Sequence, residues 1–417
     1  MAAIAVLGYG TVGSGVVEVI GENSELIAGR GCSLEVKYIL DLRDFPGDKY
    51  ESLVTHDAEV IFADPEIKVI CETMGGTGAA YAFTKRALEA GISVCTSNKE
   101  LVEKHGAELS AIAAGHSCSY LFEASVGGGI PLIRTIRTGL VAENIKSIYG
   151  ILNGTTNYIL YRMEEQGLDF AAALKEAQEM GYAEKDPTAD IEGHDPCRKI
   201  AILASLVCGK KVDYSDIPME GLSDVSLMDL AYARSLGGTI KLIAMCDFEG
   251  GKPRAIVSPR VILADNPLKS VNDVFNAALI DSDMLGLSMY YGKGAGKLAT
   301  ASAVVADAVE CASTIGKTVK CGWTEEKAEP GDPGELKGQF LVRIKRSALK
   351  EAESRFGAAG KICFEKGEAF EKYPVLKGVL AEDAFDDEMA LVTPEMSGNE
   401  FTDKAAGLEG IIKSIRL

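Results

Sequence analysis

Gly8-Tyr9-Gly10-Thr11-Val12-Gly13 closes the apolar run AIAVL and opens a helix-forming segment, the setting in which G-x-G-x-x-G binds a dinucleotide. The first glycine makes the tight turn, the second lets the backbone approach a pyrophosphate, and the third packs helix on strand, with the helix N-terminus facing the phosphates. A glycine-rich turn without a ligand is the alternative; the position at the first βα junction of a βαβ series argues against it. Gly8, Gly10, Thr11, Val12 and Gly13 are therefore candidate cofactor residues. Asp41 ends the second expected strand, where a carboxylate accepts hydrogen bonds from the adenosine ribose of NAD, whereas Arg43 suits the 2′-phosphate of NADP. Asp41 also falls later than the ~20 residues expected after the fingerprint, because a loop around Gly29-Arg30-Gly31 intervenes. The two cues conflict, and the choice stays open.

Thr73-Met74-Gly75-Gly76 and Thr96-Ser97-Asn98-Lys99 each follow an expected strand of the same sheet, so both lie at strand C-termini, where ligands collect in open α/β sheets. Lys99 would point into that crevice; the alternative is a surface lysine at a helix start. The densest chemistry lies in Gly181–Lys199, where five carboxylates, among them Glu184, Asp190 and Asp195, precede a helix that continues as IAILASLV. Acids gathered there suit a substrate ammonium group. Pro196 fits a first helical position, which puts Asp195 at the N-cap and Lys199 one turn later on the same face. A lysine at the mouth of an apolar helix is partly desolvated, which lowers its pKa toward values useful for proton transfer, while a neighbouring carboxylate pulls the other way. The alternative is a solvated acidic loop and an i, i+4 surface pair.

These groups must be positioned by regular elements. Short β-rich runs at Ala3–Leu7, Leu34–Leu40, Glu59–Phe62, Lys68–Cys71, Ile92–Thr96 and Ser119–Phe122 alternate with helix-length segments such as Gly78–Ala90 and Lys99–Ala114. That rhythm predicts a parallel sheet with crossover helices, a doubly wound Rossmann domain over 1–128. A mixed α/β pattern follows, with a strand at Ile145–Leu152, helices at Tyr158–Gln166, Phe170–Met180 and Pro196–Val207, and strands at Thr239–Phe248 and Arg254–Leu263. The small-residue helix Leu298–Ile315 is expected to return to the first domain, completing it over about 297–323. Residues 324–337 have the proline, glycine and charge content of a linker, and 338–417 read strand, helix, strand, strand, helix, strand, a βαββαβ module.

The formal charge of −18 over 417 residues argues against nucleic acid or an anionic membrane surface as a partner. The longest apolar stretches fall short of the ~18 residues of a membrane-spanning helix. Met1-Ala2-Ala3 runs straight into an expected strand, so no secretory leader is expected, and ten well-separated cysteines without C-x-x-C read as free thiols in a reducing cytoplasm. There is no H-E-x-x-H, no zinc-spaced cysteine or histidine cluster, no G-x-S-x-G and no EF-hand spacing.

With GYGTVG (8–13), TSNK (96–99), FEASVGGGIP (122–131), GILNGTTNYIL (150–160), GYAEKDPTADIEGHD (181–195) and YYGKGAG (290–296) in view, the sequence resembles the homoserine dehydrogenase family over roughly residues 3 to 320. The resemblance implies NAD- or NADP-dependent interconversion of L-homoserine and L-aspartate 4-semialdehyde, on the way to threonine and methionine. It implies that Lys199 is the principal acid/base and that Lys99 assists from the cofactor side. Glu184 and Asp195 would hold substrate, Asp190 would support the site, and Gly181 and Gly296 would approach the cofactor, joining Thr73 and Met74, which the strand-end turn already makes candidate cofactor residues. It further implies that the E-A-S-V-G-G-G-I loop binds a monovalent cation, usually sodium, through carbonyls of Glu123, Val126, Gly128 and Ile130. Residues 129–296 become the catalytic and dimerisation domain of a homodimer or homotetramer.

Two positions depart from the family pattern. Leu40 stands where many relatives carry an arginine, which weakens a preference for NADP, and Arg346-Ser347-Ala348-Leu349 replaces the effector turn of an ACT domain, which the C-terminal module otherwise resembles in element order. The rival readings are a thioester-forming semialdehyde dehydrogenase, for which Asn153-Gly154-Thr155-Thr156-Asn157 offers no cysteine, and a non-catalytic regulator that senses nicotinamide and an amino acid.

Overall fold

A computed structural model describes residues 2–357, 360–365 and 367–417. Met1, Ala358, Ala359 and Lys366, which fall within the expected domains 1–128 and 338–417, lie outside the described residues. The chain divides into two compact units. One comprises the start of the chain to Ile148, Arg198–Asp216 and Ala278–Glu329; the other comprises Tyr149–Cys197, Ile217–Ala277 and Pro330–Leu417.

The first unit is built on a parallel sheet of β1 (Ala2–Leu7), β2 (Leu34–Leu40), β3 (Val54–Thr55), β4 (Ile67–Glu72), β5 (Ser93–Thr96) and β6 (Tyr120–Leu121), in the order β3-β2-β1-β4-β5-β6. This is the doubly wound arrangement expected from the sequence, and its order reverses between β1 and β4, where such sheets open a ligand crevice. The central strand β1 is a continuous apolar run, as burial on both faces requires, whereas β2 and β4 turn Glu35 and Lys68 outward. The helix Thr11–Glu22 packs against Lys297–Ser313 through small residues: a Cβ on Gly15 would lie 2.9 Å from the Lys297 carbonyl and 3.0 Å from Ala301. Val16, Val17, Ile20, Ala301, Val304 and Ala308 are buried in the shared core, and fully burying a valine or isoleucine side chain contributes about 1.5–3 kcal/mol.

One expected strand is a helix. Residues 59–62 belong to Ala58–Ala63, because Asp57 accepts a hydrogen bond from the Glu59 N–H and caps a helix there, while the third strand is the two-residue Val54–Thr55 just before it. Within 324–337, Thr324–Lys327 pairs in parallel with Lys210–Lys211, and Pro333–Glu335 forms a 3-10 turn.

In the second unit, an antiparallel pair, Thr239–Asp247 and Arg254–Ile262, is extended by the C-terminal module. The order runs on through Ile411–Arg416, Phe340–Lys345, Glu388–Val392 and Gly360–Ile362. The main elements of 338–417 follow the order strand, helix, strand, strand, helix, strand, with a further short helix Glu368–Lys372 and a two-residue strand Met396–Ser397 between them; helices Leu349–Phe356 and Gly398–Ala405 lie over a core of Phe340, Val342, Phe356, Leu391 and Phe401. Arg343 is buried at the base of this module, with Glu388 Oε2 and Asp229 Oδ1 both 2.7 Å from its guanidinium. One carboxylate balances the guanidinium charge, and the second occupies further N–H donors of the desolvated fork.

Candidate active site

Gly8 has φ +91°, and a Cβ there would meet Met74 and Thr73 atoms at 3.1–3.2 Å. A Cβ on Gly13 would sit 1.9 Å from the Gly8 carbonyl oxygen, whereas one on Gly10 would meet nothing within 4 Å. The first and third glycines therefore close the turn, and the second leaves backbone open to an approaching group. The helix starts at Thr11 with no side-chain hydrogen bond at its N-cap, Gly10. Thr73 ties β4 to this turn, its hydroxyl lying 3.0 Å from the Leu7 carbonyl and 2.9 Å from that of Gly8.

Asp41 accepts from the Tyr9 N–H at 2.8 Å and from Arg43 Nε and Nη2 at 2.9 Å each. The Arg43 guanidinium holds its carboxyl well below the usual range. The NAD cue and the NADP cue are thus one ion pair, with Arg43 exposed on its outer side.

Deeper in the same unit, Lys99 and Lys199 line one cavity of about 360 Å³ together with Gly75, Asn98, Gly128 and Gly294. Asn98 accepts from the Leu101 N–H through Oδ1 and caps the helix Lys99–Gly115. Lys99 is half-buried and Lys199 is 8% exposed, so neither sits as a freely solvated surface lysine. The helix carrying Lys199 runs from His194 to Cys208, so Asp195 lies in its first turn; it starts one residue earlier than the N-cap expected at Asp195, after Gly193 turns with φ +87°.

The loop expected to hold a cation is also in this unit. Glu123 is buried; its carboxylate accepts from the Ile133 and Arg134 N–H groups, and its own N–H donates to Asp307. The Glu123 carbonyl accepts from the Val126 N–H and the Ile130 carbonyl from the Leu132 N–H, which leaves each oxygen a second lone pair. Gly128 has φ +53°, and a Cβ there would meet the Gly294 carbonyl at 2.5 Å, so the loop presses directly on the segment before Gly296. Gly296 itself, φ +114°, is exposed at the start of the helix Lys297–Ser313.

In the second unit, Asn153 uses both protons of one amide nitrogen: Nδ2 donates to Asp190 Oδ1 and to Asp195 Oδ2, each at 2.7 Å. Its Oδ1 accepts from the Thr156 N–H and caps the helix Gly154–Gln166. Asp195 is 3% exposed and Asn153 5% exposed, while Glu184 and Gly181 are exposed. Thr155 fastens the acidic segment by donating to the Tyr182 carbonyl at 2.7 Å.

Comparison with known proteins fits this arrangement. Residues 8–123 match the NAD-binding domain model of homoserine dehydrogenase and residues 131–309 match the homoserine dehydrogenase model. The homoserine dehydrogenase of Bacillus subtilis is 34% identical over 412 residues, 96% of this chain and 93% of that protein. The chain belongs to the homoserine dehydrogenase family.

A crystal structure of a homoserine dehydrogenase from Thiobacillus denitrificans superimposes with a TM-score of 0.87 at 29% identity, covering 100% of this chain and 98% of that one. A hyperthermophilic archaeal homoserine dehydrogenase mutant in complex with NADPH superimposes with a TM-score of 0.64 at 29% identity, over 74% of this chain and 97% of that one. As a homoserine dehydrogenase family member the chain is an oxidoreductase that binds NAD(P), and these matches do not favour a non-catalytic sensor. Among the described residues no helix is long and apolar enough to cross a membrane, and no cluster of three or more His, Cys, Asp or Glu is placed to hold a metal.

Sequence reasoning passed over Asn153 and Glu72. In the sequence Asn153 is read only within a segment that offers no cysteine, since its bridging partners lie 37 and 42 residues away. Glu72 ends β4 and is fully buried, a place where a sequence reader expects another apolar residue.

Proposed function

We propose that this protein interconverts L-homoserine and L-aspartate 4-semialdehyde with NAD or NADP, on the way to threonine and methionine. The observation that carries this reading is the pair Lys99 and Lys199 on one cavity beside the Gly75–Gly76 turn, at the C-terminal ends of a dinucleotide-binding sheet. When bound, the dinucleotide accepts or supplies the hydride. Gly8, Gly10 and the N–H groups of Thr11, Val12 and Gly13 receive its pyrophosphate, with Asp41 or Arg43 at the ribose and Thr73, Met74, Gly181 and Gly296 along its length.

Lys199 Nζ takes the hydroxyl proton as the carbinol carbon is oxidised, and returns it in the reverse direction. Lys99 assists from the cofactor side. Glu184 and Asp195 hold the substrate ammonium, and Asp190, tied to Asp195 through Asn153, supports them. Carbonyls of Glu123, Val126, Gly128 and Ile130 hold a monovalent cation, for which hard oxygen donors are the fitting ligands. The protein works as a homodimer or homotetramer in the cytoplasm, where ten free cysteines stay reduced. Its domains follow 1–128, 129–296 and 338–417, the last an ACT-like module.

Initial-rate oxidation of L-homoserine at alkaline pH, followed by absorbance of the reduced nicotinamide with NAD and NADP in parallel, tests the reading. Turnover with either supports it and ranks the two. Tight dinucleotide binding without turnover of L-homoserine overturns it.

A further inference from the structure

Glu72 is the last residue of β4 and has no solvent exposure. Its carboxylate gathers donors from both loops that border the Lys99 cavity. Oε1 accepts from the Met74 N–H at 2.7 Å, within the Thr73–Gly76 turn, and Oε2 accepts from Thr96 Oγ1 at 2.5 Å, at the end of β5. Thr96 Oγ1 in turn accepts from the Asn98 N–H at 2.9 Å. The Asn98 amide donates to the Gly76 carbonyl at 2.7 Å and also to Glu72. A closed ring of bonds therefore joins residue 72 to 74, 76, 96 and 98, and its last member precedes Lys99 directly.

Burying a carboxyl is costly. Desolvation pushes the Glu72 acid up to about 7, against the lowering effect of Thr96, the Met74 N–H and Asn98. Core packing alone would be served by a leucine or valine at this place, as at Val69 and Ile70 on the same strand. What an apolar side chain could not do is hold two neighbouring strand-end loops in one register by accepting from both.

We propose that Glu72 is a positioning residue: it fixes the Thr73–Gly76 turn against the Thr96–Lys99 turn, and so sets the distance between the dinucleotide's resting surface and Lys99. This rests on the reading of the cavity as the dinucleotide and substrate site. Side chains that meet no ligand act here through Lys99 and through the shape of the Gly75–Gly76 turn, so loss of Glu72 weakens both dinucleotide binding and turnover.

The test uses the full-length protein with Glu72→Ala, Glu72→Gln and Thr96→Val, each titrated with the reduced dinucleotide by its fluorescence, and each assayed for L-homoserine oxidation. Glu72→Ala is expected to weaken dinucleotide binding at least tenfold and to lower kcat at least tenfold, with Glu72→Gln, whose one oxygen can still accept from the Met74 N–H while its amide nitrogen can only donate toward Thr96 Oγ1, recovering part of both losses. Thr96→Val, which removes both bonds that Thr96 Oγ1 makes in the ring with little change of volume, is expected to reproduce part of the loss; it supplies the same readout if Glu72→Ala fails to fold. Dinucleotide affinity and kcat within twofold of the parent in Glu72→Ala, or in Thr96→Val where the alanine variant does not fold, overturn the proposal, as does a Gln variant as impaired as the Ala variant. If the parent protein binds dinucleotide but does not oxidise L-homoserine, the catalytic reading fails while the fluorescence titrations still decide the role of Glu72.

Discussion

Asn153 Nδ2 donates to Asp195 Oδ2 at 2.7 Å, and its second proton goes to Asp190. One neutral amide thus holds two acids at fixed positions while its oxygen caps a helix. Asn153→Ala is expected to raise the KM for L-homoserine at least tenfold with little change in dinucleotide affinity. It should also cost about 1–3 kcal/mol of stability, because a buried acceptor is left without its donor. Steady-state kinetics and urea unfolding read the two effects separately; an unchanged KM would remove Asn153 from the substrate site.

Lys199 is almost fully buried on the wall of the 360 Å³ cavity. If its amine exchanges the substrate proton, Lys199→Ala lowers kcat by ~100-fold or more while dinucleotide binding is retained, the loss typical of a positioned acid/base. Turnover near that of the parent would disprove the assignment.

Gly13 offers a steric prediction. A single methyl group there would occupy the space of the Gly8 carbonyl, 1.9 Å away. Gly13→Ala is expected to push the helix off β1, destabilise the first unit by about 1–3 kcal/mol or more, and remove dinucleotide binding. Gly10→Ala meets no protein atom within 4 Å, so it should leave stability nearly unchanged and affect dinucleotide affinity alone. Thermal unfolding with and without dinucleotide distinguishes the two variants.

The Glu72 carboxyl titrates near 7 in the fold against an ordinary value near 4.5, chiefly because burial penalises its charged form. Between those values the unfolded chain has lost the proton and the folded chain retains it, so stability falls as pH rises. The contribution is fully present below about pH 4.5 and is gone above about pH 7. Its size is on the order of 3 kcal/mol at most. Glu72→Gln should remove this slope, so that the melting temperature of the parent relative to the variant drops steadily across that window. Parallel curves for the two proteins would contradict it.

Much of the site could be read from the sequence because its residues sit where elements begin or end. Gly8 follows the unbroken apolar strand Ala2–Leu7 and Gly13 lies in the helix it opens, while Thr73 and Lys99 come after the buried ends of Ile67–Glu72 and Ser93–Thr96, and burial in a parallel sheet favours such runs. The helix at 58–63 was misread because V-I-F resembles a strand and only Asp57, through its cap on Glu59, decides otherwise. Val54–Thr55 was missed because a two-residue edge strand carries no period. Asn153 and Glu72 were invisible for a different reason: their work is done through partners that the fold alone brings near, and no local pattern records that. The pairing of Asp41 with Arg43 is local, yet its effect is to join two cues that sequence reading could only oppose.

The strand Ile411–Arg416 lies inside its sheet, antiparallel to Phe340–Lys345 on one side and meeting Arg254–Ile262 at Arg260 and Arg416 on the other. A truncation that removed these last residues would therefore do more than shorten a tail. It would uncover two facing edges at once, each with unpaired backbone groups that invite strand exchange between molecules. Expression of shortened forms should be limited by aggregation before it is limited by lost activity.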